Sequence, residues 1–321
     1  MKITIDAVSD LLKSMDDVLI LAHENPDGDA VGSACALCRA MLKLGKNAKV
    51  SIERVSNKLS YLLSDVPTGD FDYKYVVAVD TADNNILGVS NTSVTKNSEI
   101  DLCIDHHFSN VLYAEKTYLD EKAAGACEAI FDILKYMDIE IDRDIAECLY
   151  VGISTDTGCF RFGNTTSKTL RTAAELIDLG VNNADVNRLQ FETKSKEYAK
   201  LEQMAISSMN TYFSGKCAVL PITYDMFIKS GADDSDTSAL ASLPRQIEGV
   251  LIGVTMKEKV KGMFRISVRT NPPADASAVA GMLGGGGHKL AAGCSFEGSL
   301  NDALKAVLKS AESELKEIGE L

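Results

Sequence analysis

Short apolar runs recur along the first half of the chain, each followed by a polar turn. Val18–Ala22 (VLILA), Ala48–Ile52, Tyr75–Val79 (YVVAV) and Leu102–Ile104 are predicted as strands. Runs this short, rich in Val, Leu and Ile, suit strands buried on both faces. Elsewhere apolar residues return at helical spacing, over Gly28–Leu44, Ala123–Met137, Ile145–Ile153 and Ser167–Leu179. Two of these helices close on a glycine, Gly45 and Gly180, as helices commonly do. The alternation predicts an α/β unit with a mostly parallel sheet covered by helices.

The pattern changes near residue 190. From Thr193 to Tyr212 the chain is polar and helical, and it reads as a connecting helix. Beyond it, Cys217–Ile222, Val250–Met256 and Met263–Arg269 look like strands, and Asp236–Leu243 and Leu300–Ile318 look like helices. A glycine run, Gly284–Gly287, interrupts them. This predicts a smaller, mixed α/β domain. The expected division is 1–190, a connecting helix over 191–212, and 213–321, and a length of 321 residues suits two domains.

Composition narrows the function classes. At 45% hydrophobic residues the chain can bury a sizeable core. A net charge of -13 argues against coating long duplex DNA or an anionic membrane. It leaves room for a short nucleotide in a cation-filled site, because bound divalent ions reverse the local field. No apolar run has the length of a membrane helix, and the N-terminus lacks the pattern of a signal peptide, so a cytoplasmic location is expected. The eight cysteines are scattered without a disulfide framework. Cys35 and Cys38 form a CxxC inside a helical pattern, which predicts core packing.

The chain has only four histidines. His23 follows the first strand, in HENPDGD with Asp27 and Asp29. Asp80 follows YVVAV, and Asp105, His106 and His107 follow the Leu102–Ile104 run. Asp156 lies in GISTDTG, and His288 ends the glycine run. In an open α/β sheet, ligands bind beyond the carboxyl ends of the strands, where three of these groups fall. A single Asp at such a place is often only a helix cap. Three strand ends in succession bearing Asp or His point instead to a shared metal site. Carboxylates and imidazoles without a thiolate suit hard to borderline divalent ions, manganese best, with magnesium, cobalt or iron as alternatives. The ligands are too many for one ion. Two ions bridged by a carboxylate, about 3.5–4 Å apart, form the arrangement used for in-line attack at phosphorus.

HENPDGDAVGS, VAVDTAD, DHH and GISTDTGCFRF together resemble the four motifs of the DHH phosphoesterases, and GGGGHKLAAG resembles the signature of the DHHA1 accessory domain. The resemblance spans essentially the whole chain and is nearest to the subgroup of nanoRNases that also dephosphorylate 3'-phosphoadenosine 5'-phosphate (pAp). It implies a DHH catalytic domain followed by a DHHA1 substrate-binding domain, with the metal cleft between them. It implies that His23, Asp27 and Asp80 hold one metal, and that Asp29, Asp80, His106 and Asp156 hold the second. His107 would assist the leaving oxygen, with Asp105 orienting a histidine. Arg269, Gly284, Gly285, Gly286, Gly287 and His288 would bind substrate phosphate, with Arg161 as a weaker candidate. The expected substrates are short single-stranded oligoribonucleotides, linear dinucleotides such as pApA or pGpG, and pAp, and a homodimer is a family-level expectation.

Three other readings compete. A manganese inorganic pyrophosphatase would share the DHH half but lack GGGGH. A long-strand exonuclease would be larger. A cyclic-dinucleotide binding module would have lost metal ligands, and here all are present.

Overall fold

The computed structural model describes residues 1–69, 72–87, 99–232 and 237–321, and the chain divides into two compact units, Met1–Thr193 and Lys194–Leu321. In the first unit the strands are β1 (Val18–Leu21), β2 (Ala48–Ser51), β3 (Tyr75–Val79), β4 (Leu102–Asp105) and β5 (Lys116–Leu119). They form one sheet in the order β2-β1-β3-β4-β5, with every pair parallel. Alternate residues point to opposite faces, and both faces are buried. Val18, Ile20, Val77, Val79, Leu102 and Ile104 join the main core. Leu19, Leu21, Val76, Ala78 and Cys103 join a smaller cluster on the other side. This is why the strands read as continuous apolar runs rather than alternating ones.

The helices α1 (Ile5–Ser14), α2 (Gly28–Lys43), α3 (Ala126–Tyr136), α4 (Arg143–Asp156) and α5 (Ser167–Asp178) contribute to the main core. α1 was not expected from the sequence. α2 is buried along nearly its whole length, and its small residues let α4 approach closely. A Cβ placed on Gly32 would lie 2.4 Å from the carbonyl oxygen of Cys148 in α4. Gly32→Ala is therefore expected to cost about 1–3 kcal/mol in chemical denaturation, because backbone cannot move aside as a side chain can. An unchanged midpoint would show that the two helices are not in tight contact.

Cys35 and Cys38 lie fully buried within α2 and are free. The neighbouring Cys148 and burial push the Cys35 thiol up, and burial pushes Cys38 up to about 12. Both are thiols at neutral pH, as core packing requires.

The second unit holds a six-stranded sheet in the order β10-β11-β9-β8-β7-β6. Its strands are β6 (Asn210–Tyr212), β7 (Cys217–Ile222), β8 (Ile252–Val260), β9 (Met263–Thr270), β10 (Gly286–His288) and β11 (Ala291–Glu297). Only β7 and β8 pair in parallel, so the sheet is mixed. One face packs with the helices Ala276–Gly281 and Leu300–Glu317, through residues such as Ile266, Val268, Val279 and Val307. The helix Lys196–Ser208 packs Tyr198, Leu201 and Ala205 in one cluster with Leu220 and Ile222 of β7. The helix expected over Asp236–Leu243 is a short 3-10 turn over Ser238–Ser242, and Asp236 itself lies outside the described residues.

Candidate metal centre

The first sheet's order places a topological switch between β1 and β3, whose crossovers run in opposite directions. His23 lies just beyond β1, Asp80 just beyond β3, and Asp105 ends β4. The residues predicted at strand ends therefore meet where an open α/β sheet leaves a crevice. In one group, ligand atoms of His23, Asp27 and Asp80 lie within 4.8 Å of one another. Asp29, His106 and Asp156 make a second such group, and Asp80 forms a third with Asp105, His106 and His107. Asp80 joins the groups: its Oδ2 lies 3.8 Å from His23 Nε2, and its Oδ1 lies 3.5 Å from His106 Nε2.

Each side chain is set by local structure. Asp27 is the N-cap of α2, its Oδ1 accepting from the backbone N–H of Asp29 at 3.0 Å and of Ala30 at 3.1 Å. The cap reading and the cluster reading are both true of it. Asp29, in the first turn of α2, is buried and sends its carboxylate to the start of α3, where Oδ2 accepts from Ala126 N–H and Oδ1 from Cys127 N–H at 2.9 Å. Gly152 of α4 makes room for it: a Cβ there would stand 2.7 Å from Asp29 Oδ1. Asp80 has φ +53°, a left-handed conformation that Asp and Asn tolerate better than other L residues. The chain turns sharply there and directs the carboxylate into the cluster. Asp156 is the last residue of α4, and its Oδ2 lies 3.7 Å from His106 Nε2.

Electrostatics separates the carboxylates into two kinds. Asp29, Asp80 and Asp156 all hold their protons more tightly than a free carboxylate, chiefly through burial and then through neighbouring carboxylates, Asp29 and Asp27 for Asp80 and Asp156, and Asp27 for Asp29. For Asp156 the pKa is pushed up to about 7. Asp80 Oδ1 is buried without a hydrogen-bond partner. Buried polar atoms are normally paired, and three mutually repelling carboxylates destabilise the fold unless cations lie among them. Oxygen and imidazole donors in this number fit divalent metal ions.

Asp105 behaves oppositely. Burial opposes its ionisation, but hydrogen bonds from His107 and Asn110 outweigh it and hold its pKa below the usual range. Its Oδ1 meets His107 Nδ1 at 2.8 Å and its Oδ2 accepts from Asn110 Nδ2 at 2.6 Å. The same bond raises the pKa of His107, against the effect of burial. Burial lowers that of His23. Asn110 was missed in the sequence. It lies five residues beyond Asp105, in a loop with no periodicity to mark it.

Arg161 is exposed and its Nε donates to the Gly158 carbonyl at 2.6 Å. In the second unit, Gly286 and Gly287 fall in β10 rather than in an open loop, with His288 closing the strand. The glycines have a packing reason. A Cβ on Gly285 would stand 2.2 Å from the Gly293 carbonyl, and one on Gly287 2.6 Å from the Ala292 Cα. The register pairs His288 with Ala291, Ala291 with Arg269, and Arg269 with Gly253. Residues directly opposite share a face, so Arg269 and His288 lie in one row on one side of the sheet.

Residues 17–153 match the DHH family, N-terminal domain, and residues 215–317 match the DHHA1 domain. A protein of Thermus thermophilus named bifunctional oligoribonuclease and PAP phosphatase NrnA is 32% identical, over 98% of this chain and 95% of its own. One of Bacillus subtilis with the same name is 29% identical, over 88% of this chain and 90% of its own. The crystal structure of an exopolyphosphatase-related protein from Bacteroides fragilis superposes with a TM-score of 0.84 at 22% identity, covering 96% of this chain and 95% of that one, so the fold is shared. Alike to its relatives over nearly its full length and carrying both domain types in order, the chain belongs to the DHH family and bears a DHHA1 domain.

Proposed function

We propose that this chain hydrolyses very short oligoribonucleotides, linear dinucleotides among them, to nucleoside 5'-monophosphates, and dephosphorylates pAp to AMP. It is a hydrolase of phosphoester bonds. The observation that carries the reading is the pair of ligand groups meeting around the unpartnered oxygen of Asp80, in a chain alike end to end to proteins named for these two activities. His23, Asp27 and Asp80 would hold one divalent ion, and Asp29, His106 and Asp156 the other, with Asp80 shared. Manganese suits the mixed oxygen and nitrogen donors best. When bound, the two ions supply Lewis acidity to the phosphoryl group and acidify the attacking water.

The remaining residues have definite tasks. Asp105, held by Asn110, accepts the Nδ1 proton of His107 and fixes the ring. The bond to Asp105 raises the pKa of His107 and so favours the protonated ring, whose Nε2–H would donate to the leaving oxygen. Arg269, Gly284 to Gly287 and His288 bind substrate phosphate, with Arg161 as a weaker contact. The acidic chain favours short substrates, since long polyanions meet repulsion outside the site. Among the described residues no helix is long and apolar enough to cross a membrane. We place the protein in the cytoplasm, acting as a homodimer and not on long duplex DNA.

The test compares initial rates on pAp, a 5'-phosphorylated diribonucleotide, a long RNA and pyrophosphate, each with manganese and with chelator. Manganese-dependent turnover of the first two, weak on the others, is expected. Pyrophosphate as the only good substrate would replace this reading with a pyrophosphatase, and tight binding of dinucleotides without turnover would replace it with a binding module.

A further inference from the structure

The carboxylate of Asp29 is aimed by the first turn of α3. A Cβ on Gly125 would stand 2.8 Å from Asp29 Oδ2, and the N–H groups of Ala126 and Cys127 donate to the two carboxylate oxygens. The residues leading into that turn, Ala123, Ala124 and Gly125, carry no polar side chain with which to fix it. Gly125 stands at the N-cap and has no capping oxygen to offer. Glu128 supplies the fastening from inside the helix. It is fully buried, and its Oε2 reaches back to accept from the Ala124 N–H at 2.6 Å. Thr169 of α5 holds the same oxygen, donating its hydroxyl at 3.3 Å.

The other edge of Ala124 is tied as well. Asn164 Nδ2 donates to the Ala124 carbonyl at 2.9 Å and to the Asp156 carbonyl at 3.1 Å. One turn therefore leads into the N–H groups that hold Asp29 and is linked through Asn164 to Asp156, the other carboxylate of the same ligand group. Asp27, in the group with His23, is set instead by the N-terminus of α2. The second oxygen of Glu128, Oε1, is buried and has no hydrogen-bond partner. An unpaired buried oxygen carries a desolvation cost that an apolar side chain of the same length avoids. Packing alone would be better served by such a side chain, so the value of Glu128 lies in what its other oxygen holds.

We propose that Glu128 is a positioning residue for one metal ion of the pair: by holding the turn at Ala124 it sets how α3 presents its N–H groups to Asp29, and so how Asp29 stands toward His106 and Asp156. This deepens the function proposed above and rests on its metal assignment. The consequence is selective. Loss of the Glu128 acceptor should weaken the ion held by Asp29, His106 and Asp156 and leave the ion held by His23, Asp27 and Asp80 in place.

The test is calorimetric titration of the full chain with manganese alone, wild type beside Glu128→Gln and Glu128→Met. Gln keeps an acceptor oxygen at the same reach, and Met fills similar space without one. Wild type and Glu128→Gln are expected to take up two ions alike. In Glu128→Met one ion should bind about 10–100-fold more weakly, the effect typical of removing a group that orients a ligand, and the other should bind as before. On pAp, kcat of Glu128→Met should fall at low manganese with KM unchanged, and raised manganese should restore most of it; a merely structural defect would not be rescued by the ion. If Glu128→Met does not fold, Asn164→Ala, at an exposed residue, breaks the other tie of the same turn and should weaken the same single ion. Wild-type affinity for both ions in the Met variant (or in Asn164→Ala where that stands in), equal weakening of both, or a Gln variant as weak as the Met one would overturn the role. Its failure is separable from failure of the proposed function: the titration contains no substrate. Two ions in wild type with no effect of the acceptor would overturn the role of Glu128 alone, whereas fewer than two ions in wild type would overturn the metal assignment and this role with it.

Discussion

Asp80→Asn is expected to abolish turnover and, at the same time, to make the metal-free protein more stable. The two effects have one cause. Asp80 is 3% exposed, its Oδ1 has no hydrogen-bond partner, and burial together with Asp29 and Asp27 opposes its ionisation. Replacing a buried, uncompensated carboxylate with a neutral amide of the same shape should stabilise the fold by about 1–3 kcal/mol at pH 8. Asn is the right replacement because it also tolerates the left-handed backbone at this position, whereas Ala would add strain. Among the described residues Asp80 is the carboxylate within 4 Å of both His23 Nε2 and His106 Nε2, so its loss should disable both ligand groups. The expected fall in kcat/KM is at least about a thousandfold, the upper range for losing one electrostatic group at a reacting centre. The measurement is a denaturation curve in chelator beside a rate with manganese. A residue with a merely structural role would lose stability and activity together, and that outcome would remove Asp80 from the centre.

Much of this centre was legible in the sequence because its chemistry sits at strand ends. A run such as YVVAV ends at a polar residue for a physical reason, and Asp80 is that residue. The strand order, which places β1 beside β3, is not written in any local pattern; it follows from pairing between segments more than fifty residues apart. α1 left a trace, since Ile5, Val8, Leu12 and Met15 follow helical spacing, but intervening polar residues obscured it. β10 and β11 left almost none. GGH and AAGCSFE have weak strand preference of their own, and their pairing depends on backbones brought close by missing side chains. Asn110 was invisible for a similar reason: it sits in an aperiodic turn, and its significance comes from Asp105, which it meets only in the folded chain.

The stability of the metal-free protein should fall as pH rises from 6 to 8, and manganese should reverse that trend. The sign follows from the direction of the shifts. Asp29, Asp80 and Asp156 bind their protons more tightly when folded than when unfolded, where an aspartate titrates near about 3.9. Above that value the unfolded chain has released protons that the folded chain still holds, so stability declines with pH until the folded groups have ionised too. For Asp156 this occurs around pH 7 and amounts to about 1 kcal/mol between pH 6 and 8. His107 acts in the same direction, because its raised pKa gives stability at low pH that is lost as pH climbs through it. His23 opposes them with its lowered pKa, its contribution being lost as pH falls below its unfolded value of about 6.5. Asp156, which titrates within this interval, sets the decline, and His23 opposes it only toward the lower end, below about pH 6.5. Metal ligands must be deprotonated, so affinity grows over the same interval in which the empty site becomes more repulsive. At a manganese concentration of about a hundred times Kd the gain is about 2.7 kcal/mol, or about 5–10 °C in Tm for a unit of this size. Calorimetric melting at pH 6 and 8, with chelator and with manganese, reads all four values. A manganese-induced rise larger at pH 8 than at pH 6 is the expected result. An equal rise at both pH values, or none, would mean that these carboxylates are buried for some other purpose than holding a cation.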